Sequence, residues 1–102
     1  MKKKVKYNAD YFIKLFSKIP VDKIGKESLS NKCALYHVGV RNYKKTRRAE
    51  ALSNLIGDFS GRSSWDTRVY IVNDDAENNY GLGTTPKERI LVALEIVKGA
   101  GL

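Results

Sequence analysis

Cysteine and histidine occur once each in this sequence, as Cys33 and His37, and proline only twice. A lone cysteine excludes an internal disulfide, and one Cys with one His is too few for a structural zinc site. No metal and no other cofactor is implied. Long hydrophobic runs are missing as well: the longest, such as RILVALEIV at 89–97, are broken by charge well short of the ~20 residues of a bilayer span. No membrane partner is expected. The start, MKKKVKYNADYF, carries lysines but neither an apolar h-region nor a small-residue cleavage site, so it does not read as a secretory signal. A cytoplasmic setting is the expectation. There is no internal repeat and no low-complexity segment.

Acidic residues are scarce in one half only. Residues 1–51 hold fourteen basic and four acidic side chains, residues 52–102 five and seven, so a net +10 half precedes a net −2 half. A basic half of this kind attracts polyanions, either nucleic acid or an acidic protein surface. Part of the excess, Lys2, Lys3, Lys4 and Lys6, reads equally well as a solvated tail. What is present otherwise is ordinary: 102 residues with 42% hydrophobic and 29% charged suit one folded domain, 1–102, with a basic tail over 1–7.

Tyr11, Phe12, Leu15, Phe16 and Ile19 share one face of a helix that Asn8 can cap, that Asp10 favours in its first turn, and that Pro20 stops. "SNKCALYHVG" reads as a short helix capped by Ser30 or Asn31 and ended by Gly39, with Cys33, Ala34, His37 and Val38 on one stripe. Thr46 caps the next helix, in which Ala49, Leu52, Leu55 and Ile56 face inward up to Gly57. "DFSGRSSWDT" reads as a turn-rich connection. "RVYIVND" favours a strand by residue type, but an apolar run this short does not separate strand from buried helix. "DAENNYGLG" reads as polar loop. In "TPKE", Thr85, Pro86 and Glu88 form a capping box with proline at the first position, ahead of Ile90, Leu91, Leu94 and Val97. The expected fold class is therefore mainly α, a small single-domain fold of about four helices at 9–18, 31–38, 47–56 and 86–98. Residues 68–72 are either an extra turn or a short strand, the latter making the fold α+β with a hairpin. The expected core is Phe12, Leu15, Phe16, Leu35, Leu52, Leu55, Ile71, Leu91 and Leu94.

Three stretches invite a chemical reading. Cys33 and His37 are one helical turn apart, so thiol and imidazole can be neighbours near a helix N-terminus, which favours a thiolate. A thiol enzyme also needs a third group to orient the base, and Asn73 or Asp74 serves only if the fold brings it near. The simpler reading is a packed cysteine beside a hydrogen-bonded histidine, with Asn73 and Asp74 as a turn-forming pair at an element end. "YGLGTTPKER" sets glycines before a helix N-terminus, yet it lacks the P-loop ending and Pro86 removes an amide, so a plain cap explains it. The densest interaction candidate is "VRNYKKTRRAE": Arg41, Lys44, Lys45, Arg47 and Arg48 cluster near a helix start, with Tyr43 available to stack on a base or pack on an acidic partner. No recognisable nucleic-acid module accompanies it.

The order "DYFIKLFSKIP", "NKCALYHVGVR", "VYIVNDD" and "TPKERILVALEIVK" resembles small uncharacterised proteins of bacteria and their phages, with a C-A-L-x-H/x-x-G helix, a later N-D pair and a terminal T-P-x-x-R-I-L-x-A-L helix. The resemblance covers most of the chain. Tyr36 departs from it, standing where such proteins have glycine, which implies that this helix needs no close backbone approach there. The resemblance implies a phage, prophage or bacterial accessory protein and transfers no site residue. The functional expectation is a non-enzymatic protein that binds another macromolecule, a host or phage protein first, through its basic half. Direct RNA or DNA binding is the alternative, and a Cys33-dependent enzyme comes third.

Overall fold

Asn8 starts the first helix as its position predicts. In the computed structural model of the chain, which describes residues 7–25, 31–42, 44–57, 64–74 and 85–101, the Asn8 side-chain oxygen accepts from the Tyr11 amide at 2.9 Å and α1 runs over Ala9–Ser17. A 3-10 turn, Val21–Lys23, follows Pro20. α2 is Ala34–His37, α3 Arg47–Ile56, α4 Trp65–Asp74 and α5 Pro86–Gly99. Among the described residues the regular structure is helical, apart from one isolated antiparallel bridge between Arg41 and Lys44.

α5 begins as read from TPKE: the Thr85 hydroxyl accepts from the Glu88 amide at 3.1 Å with Pro86 in the first turn. It lies antiparallel to α1, because Lys98 near its end reaches Asp10 at 3.2 Å while Lys87 near its start donates to the Ser17 carbonyl at 3.2 Å. Asp10 also meets Lys14, at 3.4 Å. Hydrogen bonds from Lys98 and then Lys14 hold its carboxyl below the usual carboxylate value.

Two readings need correction. Residues 68–72 are neither strand nor isolated turn: they lie inside α4, which starts at Trp65 within the stretch read as a connection. Val69, Ile71, Val72 and Asn73 are all buried there, and α4 packs against α2, α3 and α5. A helix covered on several sides shows no polar face, so its period is hidden and β-branched composition points the wrong way. The second correction concerns α2, which is four residues long instead of spanning 31–38. Lys32 is in the left-handed region at φ 57°, and the residue before the helix is Cys33, whose side chain caps nothing. Asn31 therefore does not stand at the cap position, and Ser30 lies outside the described residues. Gly39 does end the segment at φ 93°, and a β-carbon there would sit 3.1 Å from Nη2 of Arg48.

One buried cluster draws on α1 to α5 and the links between them. Phe12, Phe16, Leu35, Leu52 and Leu94 are fully buried as expected, and Ile71 is buried outside that cluster. Leu15, Leu55 and Leu91 are only partly buried, packing on the flanks. Val38, Val40, Ile56, Val69, Val72 and Ile90 fill the centre instead. Asn73 and Arg89 are buried with them. The Asn73 side-chain oxygen accepts from the Ala34 amide at 3.1 Å, and its nitrogen donates to the Gly25 carbonyl at 2.9 Å and to Asp74 Oδ1 at 2.7 Å. Arg89 of α5 donates through Nε and Nη2 to the carbonyls of Val72 and Asn73, at 3.1, 3.2 and 2.6 Å. It thereby satisfies the orphan carbonyls at the end of α4 and sets a cation at the negative end of that helix.

Two stability measurements check this core. Asn73→Ala leaves the Ala34 amide and the Gly25 carbonyl without their partner, so urea denaturation should show a loss of about 2–4 kcal/mol. Asn73→Asp keeps an acceptor for Ala34 but sets an oxygen against the Asp74 carboxylate, and should be no more stable than the alanine variant. Ser53 has the opposite sign: its hydroxyl is buried in α3 with no partner among the described residues. Ser53→Ala should raise stability by about 1 kcal/mol.

Candidate anion-binding turn

Between α2 and α3 the chain reverses direction in a few residues. Gly39 ends α2, Asn42 takes a left-handed conformation at φ 54°, and the Lys44 amide donates to the Arg41 carbonyl at 3.1 Å, closing a tight turn. Thr46 then joins the two helices: its hydroxyl donates to the Val38 carbonyl at the end of α2, at 2.8 Å, and accepts from the Ala49 amide at the start of α3, at 3.0 Å. The negative end of α2 and the positive end of α3 are held together by one side chain.

The predicted basic residues surround this junction. Arg41 is exposed, and its Nη1 donates to the Tyr36 carbonyl at 3.0 Å and to the Val40 carbonyl at 2.8 Å. Its guanidinium carbon lies 3.8 Å from the Tyr36 ring centroid, a cation–π stack. Lys32 reaches the same ring at 5.9 Å, and His37 meets it edge-on. Lys44 and Arg47 are exposed, and Lys45 pairs with Glu50 at 3.2 Å. Arg48 is half-buried beside Gly39. Tyr43 lies outside the described residues, as do Lys2, Lys3, Lys4 and Lys6. The aromatic on this surface among the described residues is Tyr36, which sequence reading noted only as a departure from the resemblance. Its signal was its position in "CALYHVG", off the buried Cys33–Ala34–Val38 stripe.

The second candidate set converges in part. Cys33 is fully buried at the start of α2, and Asn73 and Asp74 come beside it at the end of α4. His37 turns elsewhere: its Nε2–H donates to the Lys23 carbonyl at 2.9 Å and pins the 3-10 turn to α2. Burial pushes the Cys33 thiol up, backbone hydrogen bonding by Tyr36 and Leu35 lowers it in part, and the Asp74 charge adds to the rise. A nucleophilic thiol needs the reverse. Asn73 and Asp74 do lie at an element end, but Asn73 acts as a long-range clamp and not as a turn former. The glycine–threonine stretch 80–84 lies outside the described residues. Among the described residues no three of His, Cys, Asp and Glu converge where a metal would sit, and no helix is long and apolar enough to cross a membrane.

No protein-family model, curated protein or solved structure matches the chain. The arrangement itself therefore carries the functional reading.

Cys33 allows a check by alkylation and by pH. Native protein at neutral pH should react far more slowly with iodoacetamide than urea-unfolded protein, and His37→Ala should not raise the pH at which reaction begins. Because the folded thiol ionises above the unfolded value of 9.0, its contribution to stability is complete below that pH and is lost as pH rises beyond it. The stability of wild type relative to Cys33→Ala should therefore fall above pH 9.0.

Proposed function

We propose that this is a non-enzymatic binding protein that engages an anionic macromolecule through the turn and helix start at 41–48. One observation carries the reading. Cations gather at the positive end of α3, where the helix dipole disfavours them by about 0.3–1 kcal/mol each. Lys44, Arg47 and Arg48 have no carboxylate partner among the described residues to offset this. A cluster that opposes the local electrostatics, with Lys45 alone of its cations paired to a carboxylate among the described residues, suits a surface kept for an external anion. The thiol environment of Cys33, raised and buried, supports a structural cysteine over a nucleophile.

The resemblance to small phage and bacterial proteins suits this reading, with a bacterial cytoplasm as the setting and a host or phage macromolecule as the partner. Carboxylates of an acidic protein and phosphates of a nucleic acid share the chemistry that such a turn attracts.

Replacing Lys44 and Arg47 with Gln tests the proposal on two axes. Elution from a sulfated-polysaccharide column should shift to markedly lower salt, while the thermal midpoint stays level or rises because the α3 dipole is relieved. An unchanged elution salt would remove the turn from the binding surface.

A further inference from the structure

Arg41 differs from the other cations of the turn in being held still. Two Nη1–H bonds to the Tyr36 and Val40 carbonyls use both protons of that nitrogen, and the Tyr36 ring covers one face of the guanidinium. Nε and Nη2, which form the side-on fork, have no protein acceptor among the described residues. A side chain that usually loses much rotamer freedom on binding has lost it in advance, on an exposed residue whose bidentate edge meets no acceptor among the described residues. We infer that Arg41 is a preset phosphate anchor and that the anionic partner of the turn is a nucleic-acid backbone. This rests on the reading of the turn as an anion-binding surface.

The surroundings favour phosphodiester over an acidic protein. Protein interfaces centre on buried aromatic or aliphatic anchors and are depleted in lysine. The described exposed residues of the turn are Arg41, Asn42, Lys44, Lys45 and Arg47, with no large apolar side chain among them, and the exposed large hydrophobics, Val21 and Ile96, belong to the 3-10 turn and α5. A phosphate backbone needs no such anchor: it rewards several cations in succession, each displacing a counterion. Lys44, Arg47 and Arg48 supply that succession beside the oriented fork, and α3 adds its positive end. Contacts of this kind position a strand without reading its sequence. The stack of Arg41 on Tyr36 leaves the outer guanidinium face for a base of an unpaired strand.

Fluorescence anisotropy with labelled oligothymidylate, oligouridylate and a duplex of the same length tests this, with polyglutamate as competitor. All three nucleic acids should bind, with log affinity falling linearly with log salt, and their ranking tells single strand from duplex and RNA from DNA. Arg41→Lys, at equal charge, should weaken binding about fivefold or more with the salt slope unchanged. Tyr36→Ala should do the same and Tyr36→Phe should not, since only the ring is used. Lys44→Gln should instead reduce the slope by about one. The thermal midpoint of Tyr36→Phe should match wild type, and that of Arg41→Lys should fall only slightly, leaving the protein folded at the assay temperature. If Arg41→Lys binds like wild type while Lys44→Gln still flattens the slope, the anchor is wrong and the charge reading stands. If polyglutamate competes as well as an oligonucleotide, the partner is an acidic protein surface. Absence of salt-sensitive binding to any of these polyanions would defeat both.

Discussion

The carboxamide of Asn73 is the point on which the arrangement turns. It sits in an apolar core, where an unpaired amide would cost about 1–3 kcal/mol per group, and it is used at both ends. One end receives the first amide of α2, the other donates to the Gly25 carbonyl before the second stretch of chain. Arg89 completes the node by taking the last carbonyls of α4, so α5, α4, α2 and the link after α1 meet in one hydrogen-bonded group. Close packing at Gly25, where a side chain would run into Asn31, leaves no slack in that corner.

The surface turn inherits its geometry from this node. A helix of four residues is too short to hold itself together in water, so α2 exists because its start is capped from α4 and its apolar side is buried. With α2 placed, Gly39 releases the chain in a fixed direction, and the Tyr36 and Val40 carbonyls become the acceptors that orient Arg41. Thr46 then fixes α3 against the same end of α2. A buried asparagine thus determines, through the placement of α2, where a guanidinium points on the surface.

Cys33 and His37 illustrate how neighbours in sequence acquire unrelated tasks. The cysteine fills the core at the helix start, whereas the histidine spans to the 3-10 turn as a hydrogen-bond donor. Both support α2, and so both serve the turn indirectly.

Much of this was legible in the residues alone, wherever the controlling interaction is local. Asn8, Thr46 and Thr85 start α1, α3 and α5 because each cap bonds an amide three residues on, and the apolar period of α1 and α3 marks their buried faces. The mainly helical class and the concentration of cations at 41–48 follow from the same kind of reading. Tertiary structure alone decided the rest. α4 is helical because its neighbours bury it on several sides, which erases the period and leaves β-branched side chains as a misleading guide. α2 begins where a residue 39 positions away reaches it, so no local pattern could place that boundary. Arg41 stands apart from Lys44 and Arg47 because α2, itself placed from α4, ends so that two nearby carbonyls and the Tyr36 ring surround it. Composition counts charges, but the contacts that immobilise a charge are made by chain folding.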